Sequence, residues 1–390
     1  MRKIKQPLAL YIHIPFCRRK CLYCDFLSYP GRKEMFPVYL KALELEMEQY
    51  LNSGLKVATI FIGGGTPTVL PAEAVTRILE KVRGLAEVLP GAEITIEANP
   101  GSVTKEQLAL FLQAGINRLS LGAQSGQDTF LKALGRSHTV KEVEKTVVAA
   151  RKSGFTNINL DLIYGLPGEM LDDWARTLKW AVSLGPQHLS CYGLQVEEGT
   201  PLARMVKEGR LTLPDDDEIS EMFLLNTEFL PAAGYHQYEI SNFARGGAKG
   251  TAMGYRCRHN LFYWKYRDYL GLGPDAYSCF SGNRWANLRD LDLYIKLLNE
   301  GKLPVAARER ISKQQGMAEF IMLGLRLTEG PDPVIFKERW GKSLEAVLGS
   351  RALPLIDGGF LRQEQGTYQL TPEGMLVSNR VLTELLAPLL

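Results

Sequence analysis

Long hydrophobic runs and an excess of one charge are both missing from this sequence of 390 residues. No apolar run reaches the roughly 18 residues that a helix needs to cross a bilayer, so the sequence predicts no transmembrane segment. Lys and Arg number 46 against 43 Asp and Glu, which gives a net charge of +3. Because nucleic-acid-binding proteins usually carry a strongly basic face, this balance argues against that class. It leaves open a weak, transient association with an anionic membrane surface.

Cysteine is also scarce, with six residues in the whole chain, which is too few for a disulfide scaffold. The start of the chain is basic and then apolar, as in a signal peptide. However, Pro7 and His13 interrupt it, and no cleavage site of small residues follows. We therefore expect a cytoplasmic protein whose first apolar run is a β-strand. In a reducing compartment, clustered cysteines indicate metal or redox chemistry.

Short runs rich in β-branched residues alternate with helical patterns over the first half of the chain. Apolar residues recur at steps of three and four in the helical patterns, several of which end in glycine. Near-continuous apolar strands alternating with helices predict a parallel sheet with right-handed crossovers. We therefore predict an α/β fold, a partial (β/α)6 TIM-like barrel with its site at the carboxyl ends of the strands. The six predicted strands are 8–16, 57–65, 93–100, 118–125, 157–165 and 188–196.

The regular alternation fades after residue 200, and this change sets the predicted domain limits. We assign 1–235 to the barrel and 236–304 to an aromatic-rich connector that contains the sequence HNLFYW. We assign 305–390 to a small helical domain, winged-helix-like because a short hairpin follows its helices.

Three of the six cysteines lie together after the first predicted strand, at Cys17, Cys21 and Cys24, with the spacing C-x3-C-x2-C. A closed four-iron cluster takes four thiolates, so three would leave one iron open to a small chelating ligand. A zinc site and three unrelated thiols are the alternatives. Zinc prefers paired C-x2-C units and a fourth ligand, and the chain has no second pair.

The cysteine loop resembles that of the radical S-adenosylmethionine (radical SAM) superfamily. More narrowly, the chain resembles the HemN/HemW group through a series of motifs from Tyr11 to about Gly168, and again through HNLFYW and LGLRLTEG. The resemblance implies that Cys17, Cys21 and Cys24 hold a [4Fe–4S] cluster, and that the amine and carboxylate of SAM chelate the fourth iron. The motifs of the first series are YIHIPFC, CLYCDF, GGGTPT, EANPG, GAQS, LGRSH and DLIYGLPG.

The SAM contacts of the group fall on eight positions of this chain, and the residue types suit that ligand. Glycines leave backbone groups bare, and carboxylates accept from an amine or from ribose hydroxyls. An arginine can pair with the SAM carboxylate as a charged fork, and a tyrosine at a strand end could flank the cluster. The eight residues are Tyr11, Gly64, Gly65, Thr66, Glu97, Gln124, Arg136 and Asp161.

Each of these residue types also has a purely structural interpretation. Consecutive glycines can form a tight turn without binding anything, because glycine adopts dihedral angles closed to other residues. A carboxylate at a strand end, such as Glu97 or Asp161, can belong to a structural ion pair.

Two types of protein within the group differ at positions that this sequence contains. The HemN type, an oxygen-independent coproporphyrinogen III oxidase, decarboxylates its substrate oxidatively with a SAM-derived radical. It has a longer N-terminal segment and a further cysteine two residues after the third, where this chain has Phe26. The HemW type has this phenylalanine, a short start and an HNxxYW motif, which His259, Asn260, Tyr263 and Trp264 supply.

The resemblance to the HemW type implies a haem chaperone, which takes haem from a donor protein and delivers it to apo-haemoproteins. Coproporphyrinogen oxidation remains the alternative, and SAM cleavage would need an electron donor. A third interpretation is an interaction protein with a purely structural cluster. An open iron and a carboxylate-binding Arg136 argue against it. The sequence leaves open whether the chain forms a dimer.

His259 is the candidate haem ligand, since imidazole ligates haem iron and flat rings pack on a macrocycle. A packed connector with a core histidine is the alternative. Cys257 could be a second soft ligand, although a buried free thiol is the simpler interpretation. The chain departs from the group at Tyr277, where a histidine is common. If that histidine takes part in haem handling, this chain uses a phenol there or handles haem differently.

Overall fold

The computed structural model describes residues 6–246, 254–387 and 389, and it is built around one large twisted sheet. Within the described residues the strands are β1 (Leu8–Ile14), β2 (Phe16–Cys17), β3 (Tyr29–Pro30), β4 (Lys56–Gly64), β5 (Glu87–Ala98), β6 (Arg118–Gln124), β7 (Ile158–Tyr164), β8 (His188–Gly193), β9 (Tyr235–Gln237), β10 (Asn242–Arg245), β11 (Tyr269–Leu272), β12 (Tyr277–Phe280), β13 (Asn283–Asn287), β14 (Val305–Arg310), β15 (Leu361–Glu364) and β16 (Thr367–Leu370).

The six predicted barrel strands are confirmed as β1, β4, β5, β6, β7 and β8, which pair in parallel in that order. Successive residues of each strand face opposite sides of the sheet, as the period of a strand requires. In β1, for example, Leu10 and Ile12 are fully buried in the main apolar core. Tyr11 and His13 occupy the other face, which lines the inside of the curved sheet.

The helices that connect the strands cover the outer face of the sheet. Five helices lie close to the helical patterns of the sequence: α1 (Phe36–Tyr50), α2 (Ala72–Leu85), α3 (Lys105–Gln113), α5 (Val140–Ser153) and α6 (Leu171–Ser183). The short helix α4 (Asp128–Ala133) was not predicted. Then come α7 (Pro201–Lys207), α8 (Asp216–Ala232), α9 (Arg258–Trp264) and α10 (Leu291–Asn299). The starts of α3 and α5 are fixed by capping boxes at Thr104 and Thr139.

A seventh parallel strand, β11, lies beside β1 on the side away from β4. It comes from the segment predicted to be a connector, and it continues into the antiparallel strands β12, β13 and β14. At the other edge, β10 pairs antiparallel with β8, and β9 pairs antiparallel with β10. Strands β10 to β13, which lie within 236–304, are therefore part of the large sheet, although the predicted domain limits themselves stay a prediction.

The C-terminal part is helical, as predicted, with one small hairpin. It contains α11 (Lys313–Gly324), α12 (Pro333–Trp340), α13 (Leu344–Asp357), α14 (Pro372–Leu376) and α15 (Ser378–Leu386), with β15 and β16 paired antiparallel between α13 and α14. In the described part of the chain, no helix is both long and apolar enough to cross a membrane.

Candidate functional site

The cysteine loop lies over the carboxyl ends of the parallel strands, between β2 and β3. Its backbone is held at Leu22, whose N–H donates to the Leu134 carbonyl at 3.1 Å and whose carbonyl accepts from Leu202 N–H at 2.9 Å. Cys17 is buried, Cys21 and Cys24 are half-buried, and all three thiols are free. Burial is the main cause of the raised pKa of the Cys17 and Cys24 thiols, and the neighbouring Cys21 adds to it.

These three free thiols on one tethered loop fit the donor set of an iron–sulfur cluster. Within residues 6–246, 254–387 and 389, no group of three or more His, Cys, Asp or Glu side chains is arranged to hold a metal ion. The cysteine loop therefore offers thiol ligands spread along a loop rather than a closed cage for one ion.

The glycine turn after β4 passes directly under the cysteine loop. Gly64 has φ +109°, and a Cβ there would lie 2.6 Å from the His13 ring. A Cβ on Gly65 would lie 2.3 Å from the Phe16 carbonyl oxygen, which accepts the Thr66 N–H at 2.7 Å. Contacts within the protein thus explain the glycines at both positions without a ligand, as the tight-turn alternative holds.

Arg136 connects the cysteine loop to the strand ends. Its Nη1 donates to Cys21 Sγ at 3.4 Å, and its Nη2 donates to Asn99 Oδ1 at 2.5 Å and to the Gly122 carbonyl at 2.8 Å. Asn99 in turn donates through Nδ2 to Thr66 Oγ1 at 2.8 Å. The Nε of Arg136 is buried without a partner in the described residues. A half-buried charged fork with an unused buried donor suits an anionic ligand such as a carboxylate.

Glu97 and Asp161 place two carboxyl groups inside the sheet below that arginine. Glu97 Oε2 accepts from Gly64 N–H at 3.0 Å. Asp161 accepts from Ser120 Oγ at 2.9 Å and from Asn159 Nδ2 at 2.9 Å. In the described residues these partners are hydrogen-bond donors rather than cations, which does not favour the ion-pair alternative. Burial, followed by repulsion from Asp161, raises the pKa of Glu97 to about 8.

Tyr11 lies at the centre of β1 and not at a strand end, so the expected placement was wrong. Its ring contacts Phe61, with the ring centroids 6.2 Å apart. His13 donates through Nε2 to the Leu27 carbonyl at 3.0 Å, so Tyr11 O–H donates to the Nδ1 of this neutral ring at 3.1 Å. Burial lowers the pKa of His13 to about 4, which keeps it neutral.

Gln124 ends β6 in a conformation that is uncommon for a residue other than glycine. Its φ is +67°, and the register of β6 against β7 shifts between Gly122 and Gln124. The side chain is buried near Gly122. Such strained positions cluster at binding sites, so the conformation is consistent with the predicted contact.

The HNLFYW sequence forms α9, which packs against β1 and β4. His259 is 1% exposed, with Nδ1 2.9 Å from Thr59 Oγ1 and Nε2 2.8 Å from Tyr263 Oη. Its N–H donates to Glu93 at 3.0 Å, and its ring lies against Phe61. Burial lowers the pKa of His259 to about 3. Both ring nitrogens are thus occupied, so haem ligation by His259, which stays a prediction, would require the loss of one of these bonds.

The two other residues discussed for haem differ in exposure. Cys257 is fully buried, and burial raises the pKa of its thiol to about 12, which agrees with an inert free thiol. Tyr277 opens β12 and is 56% exposed. It is therefore the one of the two that a large ligand could reach without rearrangement of the core.

Comparison with known proteins places this arrangement in a family. The family model for the radical SAM superfamily matches residues 11–181, and that for the HemN C-terminal domain matches 311–377. The heme chaperone HemW of Bacillus subtilis is 37% identical over 98% of this chain and 100% of its own length. HemW of Escherichia coli is 36% identical, with 98% of each chain covered. The chain belongs to the HemW family of radical SAM proteins.

A solved structure supports the fold of this HemW family member. The structure of coproporphyrinogen III oxidase (HemN) from Escherichia coli matches it with a TM-score of 0.83 at 24% identity, over 98% of this chain and 91% of that chain. At this identity the likeness shows the fold alone. The assignment to HemW rather than HemN follows from the sequence identity along the whole chain.

Three polar residues that hold the HemW site together were not singled out from the sequence. Asn99 joins Thr66 to Arg136, while Ser120 and Asn159 both donate to or support Asp161. Asn99 could have been identified from the sequence, because it lies in the EANPG motif two residues after Glu97. Ser120 and Asn159 give no such signal, because isolated polar residues in a strand are also typical of a solvated face.

Proposed function

We propose that the chain holds a [4Fe–4S] cluster on Cys17, Cys21 and Cys24, binds SAM at the adjoining strand ends and acts as a haem chaperone. One observation carries the cofactor part of the proposal. Arg136 lies between the two sets of residues, with one nitrogen on Cys21 Sγ, one on the strand ends and a third buried without a partner in the described residues. When bound, the cluster would supply an open iron for SAM and an electron from an external donor.

The residues around Arg136 would orient SAM. Arg136 is suited to hold its carboxylate, and the bare backbone of Gly64 and Gly65 with the Thr66 hydroxyl is suited to border its amine. Glu97 and Asp161 would accept from the amine and the ribose, and Gln124 offers an amide to the ribose. Tyr11 lies below them and would close the inner side of the site. These roles rest on the resemblance and on the contacts described above.

The haem part of the proposal is supported by the names of the relatives. The relatives from Bacillus subtilis and Escherichia coli, which match along the whole chain, are named heme chaperones. Phe26 occupies the position at which the HemN type has a further cysteine. We propose haem as cargo, a haem donor and apo-haemoproteins as partners, and a cytoplasmic location. Dimer formation and transient membrane association stay predictions.

A paired assay tests this function. The protein is reconstituted anaerobically with iron and sulfide, and iron, SAM binding and haem binding are then measured on the same sample. We expect a cluster, SAM-dependent change of its spectrum, haem binding and transfer of haem to an apo-haemoprotein. Conversion of coproporphyrinogen III to protoporphyrinogen IX by the same sample would instead favour the oxidase alternative.

A further inference from the structure

A buried chain of hydrogen bonds runs from α9 to Asp161, one of the proposed SAM contacts. Cys257 N–H donates to Tyr238 Oη at 3.2 Å, and Tyr238 Oη lies 2.8 Å from His188 Nε2. His188 Nδ1 lies 2.6 Å from Asn159 Oδ1, and Asn159 Nδ2 donates to Asp161 Oδ1. We propose that His188 is a positioning residue for SAM, acting on Asp161 through Asn159. This inference rests on the proposed SAM site.

The charge of Asp161 sets the direction of every bond in the chain. Because a carboxylate only accepts, the Asn159 amide turns its NH2 group to Asp161 and its oxygen to His188. The oxygen can only accept, so His188 carries its proton on Nδ1. Burial, followed by the charge of Arg118, lowers the pKa of His188 and keeps it neutral. Its Nε2 must then accept the hydroxyl proton of Tyr238, which leaves the tyrosine oxygen free to accept from Cys257.

Every donor in this hydrogen-bond chain therefore points toward Asp161. The direction of each bond fixes the direction of the next one. Asn159, His188 and Tyr238 are each at most 1% exposed, so water does not replace a lost partner at low cost. The Asn159 amide is fully used: its NH2 group also donates to Ser120 Oγ at 2.7 Å, and its oxygen also accepts from Ser190 Oγ at 3.2 Å. Ser120, which accepts from Asn159, donates in turn to the other carboxylate oxygen of Asp161.

This geometry gives the HNLFYW helix a connection to the SAM site that does not require haem ligation. Cys257, the residue before α9, is the last member of the hydrogen-bond chain. Glu93 fixes the start of the helix by accepting from Arg258 N–H and His259 N–H. A change in the position of α9 would reach Tyr238, then His188 and finally Asp161. We therefore expect SAM binding and the position of α9 to be coupled.

Replacement of His188 by leucine tests the inference on the reconstituted full chain. Leucine fills similar space but cannot accept or donate a hydrogen bond to hold the Asn159 amide. We therefore expect SAM to bind at least about fivefold more weakly, which corresponds to the net contribution of one hydrogen bond. His188→Gln can keep both contacts, and we expect it to recover most of the affinity. Tyr238→Phe removes only one hydroxyl and replaces the leucine variant in this test if that variant does not fold. It should also weaken SAM binding.

Tyr235→Phe is the matched control, since it also loses one fully buried hydroxyl, which donates to the Pro186 carbonyl at 2.7 Å, but lies outside the hydrogen-bond chain. It should lower the melting temperature without changing SAM affinity. Wild-type affinity in both His188→Leu and Tyr238→Phe, or equal loss in Tyr235→Phe, would overturn the inference. Wild-type protein that binds no SAM would instead overturn the proposed function.

A second readout needs neither cluster nor SAM. Nitrogen-15 NMR of histidine-labelled protein should show a neutral histidine protonated on Nδ1 that disappears in His188→Leu and shifts in Tyr238→Phe. A His188 signal protonated on Nε2 would contradict the direction of the chain, and with it the inference.

Discussion

The carboxyl groups of Glu97 and Asp161 face the same interior, and the charge of Asp161 adds to burial in raising the pKa of Glu97 to about 8. Two acids with unlike environments are a common feature of binding and catalytic sites. Here Asp161 accepts two hydrogen bonds from uncharged donors, whereas Glu97 accepts one from Gly64 N–H. This raised pKa favours the protonated form of Glu97 at pH 7 in the ligand-free protein.

Glu97→Gln should stabilise the ligand-free protein at pH 8 and above while it weakens SAM binding. In the unfolded chain a glutamate has a pKa near 4.5, and in the folded protein Glu97 has a pKa of about 8. Between these values the folded state binds more protons, so stability falls as pH rises through this window. The glutamine removes this loss. Urea unfolding at several pH values measures it, and a variant whose stability falls as steeply as the wild type's would refute the assignment.

The same pKa predicts proton release on SAM binding. An amine or hydroxyl donor beside Glu97 favours its ionised form, so binding at pH 7 should release close to one proton, and affinity should rise toward pH 8. Calorimetry in two buffers of different ionisation enthalpy measures the proton count. The Glu97→Gln variant is the control, since it has no proton to release at this position.

Cys21→Ser should abolish cluster assembly, because each of the three thiols would supply one ligand in the proposed site and Cys21 is also the contact of Arg136. Iron and sulfide analysis with visible absorbance after anaerobic reconstitution measures the loss. Cys279→Ser is the matched control: Cys279 is a half-buried free thiol in β12, outside the loop. An equal loss in both variants would mean that the cysteine loop does not specify the cluster.

Gly64→Ala should damage the site by more than backbone strain alone. The left-handed φ costs an alanine about 1–2 kcal/mol, and its Cβ would also meet the His13 ring at 2.6 Å. Since His13 accepts from Tyr11, a displaced ring would disturb both residues. Gly91→Ala isolates the first effect, because Gly91 has φ +71° with nothing within 4 Å of its Cβ. Equal unfolding free energies and SAM affinities in the two variants would contradict this explanation.

The sequence predicted the parts of the fold that local patterns determine. The six barrel strands are apolar runs bounded by glycine, proline and polar residues, and all six were located, although β5 begins at Glu87, ahead of its predicted start at 93. Strand β11 was not, because Tyr269–Leu272 is only four residues long and pairs with a strand some 260 residues earlier, Ala9 with Tyr269. Such non-local pairing leaves no periodic signal.

The same limit applies inside the site. Ligand types and spacing identified the cysteine loop, but not the hydrogen-bond chain of Asn159, His188 and Tyr238. The pairing of β7 with β8 places Asn159 beside His188, and this register is not visible in the sequence. The aromatic neighbours of His259 suggested a haem site. In the structure, Tyr263 lies one helical turn away and bonds to His259 itself, so an aromatic-rich motif can as well be a packing motif.

The last prediction separates these two roles of His259. If it is a packing residue, His259→Ala loses its hydrogen bonds to Thr59 and Tyr263 and leaves a cavity beside Phe61. The expected cost is about 2–4 kcal/mol of unfolding free energy, by analogy with other large-to-small core substitutions. Haem binding, where the variant remains folded, should then keep the wild-type Soret band. Urea unfolding and a haem titration on the same preparation give both quantities.

Tyr263→Phe provides the reference for this experiment, because it removes one partner of the His259 ring and no bulk. We expect it to cost about 1 kcal/mol and to leave the haem spectrum unchanged. A haem ligand would give a different spectrum: His259→Ala would shift or abolish the Soret band, in addition to the loss of unfolding free energy from its buried hydrogen bonds. That result would mean that the buried ring leaves Thr59 or Tyr263 when haem binds, and that α9 moves in the process.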